Sequence, residues 1–179
     1  MTDGQAPAAD PIEPDEKMHI DPYERRWIWV AVGTLSVFFV AVTIAGLALG
    51  IQVPTVEGRV DPNELTTTPP WSEPGVRTIV PGEEYDVYMV GRRFSFQPAE
   101  IRVPEGATVN FFVTSADVQH GFKLADTNVN MMVIPGQVSK LSAKFDDPGT
   151  YDYICHEYCG LGHAIMFGQL IVEPAQGGE

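Results

Sequence analysis

Between Arg26 and Glu57 the chain carries no charged residue, and within that interval Trp27–Gly50 reads WIWVAVGTLSVFFVAVTIAGLALG. About 20 apolar residues in succession span the hydrocarbon core of a bilayer as a helix. The run is apolar on every face, so it lacks the polar stripe of a surface helix. It is longer than the apolar core of a signal peptide and follows an acidic segment rather than a basic one. The reading is a transmembrane helix over 25–51, against the plainer alternative of a helix buried in a soluble core. Trp27 and Trp29 suit the membrane interface, and Arg25 and Arg26 place the N-terminal side in the cytoplasm by the positive-inside rule. Everything after Gly50 is then expected on the outer face.

The flanking segments differ sharply. Residues 1–24 hold seven acids, four prolines and a single base, Lys17, with no periodicity, and read as a disordered cytoplasmic tail. Residues 52–74 carry five prolines and the Thr66-Thr67-Thr68 run, and read as a semi-rigid linker. Residues 75–174 read as an outer domain, with 175–179 a flexible end. In it, short β-type runs recur: Tyr85–Val90, Glu100–Val103, Thr108–Thr114, Val138–Phe145, Thr150–Cys155 and Gly168–Val172. Turn signals stand between them at Pro81-Gly82, Pro104-Glu105-Gly106, Pro135-Gly136 and Pro148-Gly149. This pattern predicts an all-β, antiparallel Greek-key sandwich.

The chemistry is concentrated in Cys155-His156-Glu157-Tyr158-Cys159-Gly160-Leu161-Gly162-His163-Ala164-Ile165-Met166, which holds both cysteines of the chain. His120 stands upstream in Asp117-Val118-Gln119-His120-Gly121-Phe122. Thiolate, thioether and imidazole are donors that favour copper over magnesium or calcium. A single blue-copper ion needs one Cys, two His and a weak axial Met. The second Cys allows two thiolates on one loop to bridge two ions, with one His on each, Met166 completing one and a loop carbonyl the other. Competing readings are a Cys155–Cys159 disulfide, a structural zinc that would leave one donor idle, and a thiol oxidoreductase, which lacks the C-x-x-C spacing. His156 adjoins Cys155 and on a strand would point away from it. His19 reads as solvated, and Met131 and Met132 read as core fillers.

The Cys155–Met166 string, the Ser115–Phe122 segment and Thr127-Asn128-Val129-Asn130 before Pro135-Gly136 resemble subunit II of haem–copper cytochrome c oxidases. With one membrane helix, the chain is most similar to the ba-type branch. The resemblance covers roughly residues 20–174. It implies a cupredoxin-like domain with a dinuclear copper A centre held by His120, Cys155, Cys159, His163, Met166 and the main-chain carbonyl of Glu157. It also implies a haem-containing subunit I as partner and a prokaryotic plasma membrane as location. Two departures stand out. The region Arg92–Gln97 lacks the Trp found at the donor-docking patch of the larger branch, leaving Phe94 and Phe96 as candidate docking contacts or as core. Glu157 also resembles a carboxylate that binds magnesium in the larger branch.

The function implied is an electron-accepting subunit of a terminal oxidase. It would receive electrons from a cytochrome c or small blue copper protein and pass them to haem in subunit I, where dioxygen is reduced to water with proton pumping. The chain itself is not the catalytic core. Alternatives are the copper A subunit of a nitric oxide reductase-type enzyme and a free-standing membrane-anchored cupredoxin. The net charge of −13 argues against a nucleic-acid partner. Residues 52–179 carry 17 acidic against 8 basic residues, which suits either steering of a basic donor or life in high salt.

Overall fold

The computed structural model describes residues 21–48 and 52–175, which fall into an N-terminal helical unit and a C-terminal β unit. The first unit is α1, Pro22–Ala48, with no buried residue. It starts three residues before the expected boundary, for a local reason. Asp21 caps it, accepting the Tyr23 N–H on Oδ1 at 2.8 Å and the Arg25 N–H on its carbonyl at 2.9 Å. Pro22 occupies the first helical position, where its missing N–H costs nothing. Within the apolar run the hydroxyls of Ser36 and Thr43 donate to the carbonyls of Val32 and Phe39, so neither is left unpaired. Of the expected acidic tail, residues 21–24 are not disordered but open α1, because Asp21 caps it; residues 1–20, 49–51 and 176–179 lie outside the described residues.

The second unit is a sandwich of eleven strands: β1 Thr55–Arg59, β2 Gly75–Val80, β3 Glu84–Arg92, β4 Ser95–Gln97, β5 Glu100–Pro104, β6 Thr108–Ser115, β7 His120–Leu124, β8 Asn130–Val133, β9 Gln137–Lys144, β10 Gly149–Ile154 and β11 Phe167–Glu173. One sheet runs β1-β9-β6-β3-β2 with β4 on β3; the other runs β5-β11-β10-β7-β8. The expected sandwich is present, but its sheets are mixed rather than antiparallel. β3 pairs parallel with β6, and β5 parallel with β11. After β3 and β4 the chain crosses to the second sheet as β5 and returns as β6, and a crossover of this kind sets two strands parallel.

The core lies between the sheets. Val87 and Met89 of β3, Val109, Phe111 and Val113 of β6, Phe122 and Leu124 of β7, Tyr153 of β10 and Leu170 of β11 are buried in it. Phe96 joins Phe122 and Tyr153 edge-on, at centroid distances of 5.6 Å. Cys155, Cys159 and Met166 belong to the same apolar cluster.

The segment expected to be a linker is part of this domain. β1 pairs with β9, and Leu65 and Trp71 are buried with Val90, Phe112 and Val138 in a second, smaller core. Trp71 meets Tyr88 edge-on at 5.5 Å, and Tyr88 stacks on Phe112 at 4.9 Å. This strap covers the outer face of the first sheet. It explains why Phe111–Ser115 is buried without interruption instead of alternating.

Candidate metal site

The site lies at one end of the second sheet. β10 and β11 pair up to Ile154↔Phe167, and the Cys155 N–H donates to the Met166 carbonyl at 3.0 Å. The twelve-residue loop is therefore closed at its base by one more rung of the ladder. β7 lies beside β10, and its first residue, His120, enters the same space fully buried.

Six predicted donors meet there. The two Sγ atoms are 3.8 Å apart and unbonded. His120 Nδ1 is 3.9 Å from Cys155 Sγ, and the Glu157 carbonyl oxygen is 3.1 Å from it. His163 Nδ1 and Met166 Sδ each lie 3.8 Å from Cys159 Sγ. His163 comes from a single 3₁₀ turn, His163–Ile165, whose amide bonds to the Gly160 and Gly162 carbonyls fix the end of the loop. Thiolate–metal bonds are about 2.3 Å long, so sulfurs at this spacing are close enough for one ion to bond both. The donor set fits copper: soft, mostly buried and without a carboxylate among the six converging atoms. Burial, and then the neighbouring Cys155 sulfur, push the Cys159 thiol up to about 11. A cation binding there must displace that proton.

Asp117 stands directly behind His120. Its Oδ1 lies 2.9 Å from His120 Nε2, which leaves the Nδ1 lone pair on the side of the sulfurs, free for a cation. The Arg93 N–H donates to Oδ2 at 2.8 Å and the Val118 N–H to Oδ1 at 2.6 Å. Burial alone would raise this carboxyl, but these bonds outweigh it and hold it below the usual carboxylate range. The signal in the sequence was an Asp three residues before the His, too common a spacing to single out.

Other candidates lie elsewhere. Phe96 is 1% exposed and so is no surface contact: alternation along β4 turns it into the core. Phe94 is half-buried against the main core, under the ligand loop. His156 is exposed, with its ring laid over Gly121, where any Cβ would strike it. Met131 is core and Met132 half-buried; His19 lies outside the described residues. Among the described residues, the one group of three His, Cys or carboxylate donors within 4.8 Å of one another is His120, Cys155 and Cys159. The Glu157 carboxyl has no such company among the described residues.

Around the buried donors the surface is apolar. Ile154, Tyr158, Leu161, Ile165 and Phe167 are all exposed, Leu161 at 99%. A cleft of about 370 Å³ runs beside Cys155, His163 and Met166, with Asp152 and Phe167 on its wall. The sequence motif gave no sign of this rim, because it is defined by what the donors turn outward when they turn in.

Comparison with known proteins gives a consistent picture. The family model described as cytochrome c oxidase subunit II, periplasmic domain, matches residues 83–173. A cytochrome c oxidase subunit 2 of Thermus thermophilus is 40% identical over 154 residues, covering 84% of this chain and 92% of that one. A second Thermus thermophilus protein of the same name is 41% identical over 134 residues, covering 74% and 99%. A chain from the cryo-EM structure of a heme-copper terminal oxidase dimer superposes with a TM-score of 0.70 at 34% identity, covering 84% of this chain and 99% of that one.

Proposed function

This chain belongs to the cytochrome c oxidase subunit II family, as a component of a membrane-bound haem–copper oxidase, and we propose that it is the subunit through which electrons reach the haem of subunit I. The observation that carries this reading is the convergence of two free cysteines, two imidazoles, a thioether and a carbonyl on one buried space. His120, Cys155, Cys159, His163, Met166 and the Glu157 carbonyl would hold a dinuclear copper A centre. A copper pair bound there supplies a one-electron redox couple shared between two ions.

The protein's own contribution is restraint. The Cys155–Met166 rung, the 3₁₀ turn and the Asp117–His120 bond keep the donors in place whether an electron is present or not, which keeps reorganisation small. Burial of His120, Cys155, Cys159 and Met166 limits the access of water to them, while His163 stays half-buried beside the cleft. The exposed rim of Tyr158, Leu161, Ile165 and Phe167 is the face on which a cytochrome c or small blue copper protein docks, since a large exposed apolar patch marks a contact surface. It replaces Phe96 in that role.

The helix anchors the subunit, with its N-terminus cytoplasmic and the copper domain on the outer face of a prokaryotic plasma membrane; Arg25 and Arg26 at its start support that orientation. A magnesium role for Glu157 would need ligands from a partner subunit.

The test uses the purified oxidase. Wild-type enzyme is expected to show a mixed-valence dinuclear copper resonance, with Cys155→Ser and Cys159→Ser losing both that signal and turnover with the natural donor. A one-copper blue spectrum, or retained turnover in either variant, would refute the reading.

A further inference from the structure

The connection between β3 and β4 consists of Arg93 and Phe94, and these two adjacent residues reach opposite halves of the donor set. On one side, the Arg93 N–H holds Asp117 Oδ2 at 2.8 Å, with the guanidinium Nε 3.5 Å from the same oxygen. The other oxygen of Asp117 meets His120. On the other side, the Phe94 ring lies against the backbone of Gly160–Gly162, between Cys159 and His163. A methyl at Gly160 would come within 3.1 Å of Phe94 Cε1; one at Gly162 would overlap the ring, 2.5 Å from Cγ.

The two glycines are required for different reasons. Gly160 has φ +129°, a conformation that side chains resist whatever the space. Gly162 has φ −94°, which any residue adopts. Only the closeness of the Phe94 ring demands glycine there. The one side chain within the segment, Leu161, is 99% exposed, so its inner surface is backbone; apart from the Phe94 ring it is held by the amide bonds from His163 and Ile165. The ring beneath it is itself packed on the main core.

We infer that the Arg93–Phe94 corner is a positioning device for the metal site, setting the spacing between the His120 half and the Cys159–His163 half. Arg93 acts through Asp117, and Phe94 acts as a flat stop for the loop. The inference rests on the copper reading above and extends it to two residues that are not themselves among the donors.

A size-complementation experiment tests it in the full-length chain, titrated with copper ions in detergent and followed by metal content and electron paramagnetic resonance. Gly162→Ala is expected to weaken copper binding about 10- to 100-fold, the range for groups that orient metal ligands. Phe94→Ala is expected to weaken it and broaden the resonance. The double variant Gly162→Ala/Phe94→Ala is expected to bind more tightly than Gly162→Ala alone, because the methyl occupies the space the ring leaves. Wild-type affinity in Gly162→Ala would overturn the inference, as would a double variant no better than Gly162→Ala. Should Gly162→Ala fail to fold, Phe94→Ala decides: a lowered melting temperature with unchanged copper affinity and resonance would make the ring an ordinary core residue. A wild-type chain that binds no copper pair would instead overturn the functional reading on which this stands.

Discussion

The ligand loop and the strap of residues 60–74 break the usual partition of polar and apolar groups in opposite directions. In the loop, the soft and polar donors turn inward while Tyr158, Leu161 and Ile165 face solvent. In the strap, a proline-rich stretch that reads as a solvated connector buries Leu65 and Trp71 over the first sheet. The first inversion gives up some apolar burial to build a site and a contact face. The second recovers burial for a sheet whose outer face, Tyr88 and Phe112, would otherwise be wet. One region should therefore govern electron transfer with little effect on stability, and the other the reverse.

The sharpest way to break this contrast is to remove a sulfur. Cys155→Ser should abolish oxygen consumption with the natural donor and the copper resonance together, while circular dichroism of the chain stays native. A large effect of the opposite kind is expected from Trp71→Ala. Removing a buried Trp costs about 3–5 kcal/mol, read by denaturant unfolding, yet the folded fraction should keep the wild-type copper spectrum. A shifted spectrum would show that the strap and the site are coupled.

A smaller effect is expected at the rim. Leu161→Ser should leave stability within about 0.5 kcal/mol, as for most surface substitutions, and raise KM for the donor several-fold. If docking is governed by this apolar face, salt should change the rate only modestly. A steep fall in kcat/KM with ionic strength would assign docking to the acidic surface instead.

The smallest effect concerns Tyr88 beneath the strap. Burial, and next the Asp86 carboxylate, raise its phenol above the ordinary value of 10.0. A group raised on folding contributes stability that is full below its unfolded value and lost as pH rises through the folded one. Unfolding free energy should therefore decline above about pH 10, less so in Tyr88→Phe, with the copper spectrum unaffected.

The turn signals show where reading along the chain stops. All four Pro-Gly or Pro-Glu-Gly turns were visible, but only Pro81-Gly82 joins neighbouring strands of one sheet. Pro104-Glu105-Gly106, Pro135-Gly136 and Pro148-Gly149 are corners at which the chain changes sheet. A turn's local chemistry fixes that the chain bends, not which strand it meets next, so the parallel pairs β3–β6 and β5–β11 were invisible. β1, β2, β4, β7 and β8 are absent from the expected runs, and length alone does not account for it, because β5 is as short as β1 and β7 and was legible. Phe94 and Phe96 illustrate the same limit: two residues apart, both apolar, one under the ligand loop and one in the core.

The sequence by itself determined the helix, because a charge-free apolar run of that length has few places to go, and the donor inventory, because Cys155, Cys159, His163 and Met166 stand within twelve residues and their soft character favours copper. Only the tertiary structure brought His120 to them from another strand, set Asp117 behind it, turned the apolar rim outward and folded the strap onto the first sheet. These depend on contacts between segments distant in the chain, and such contacts are decided by how the two sheets pack, not by the local pattern of either partner.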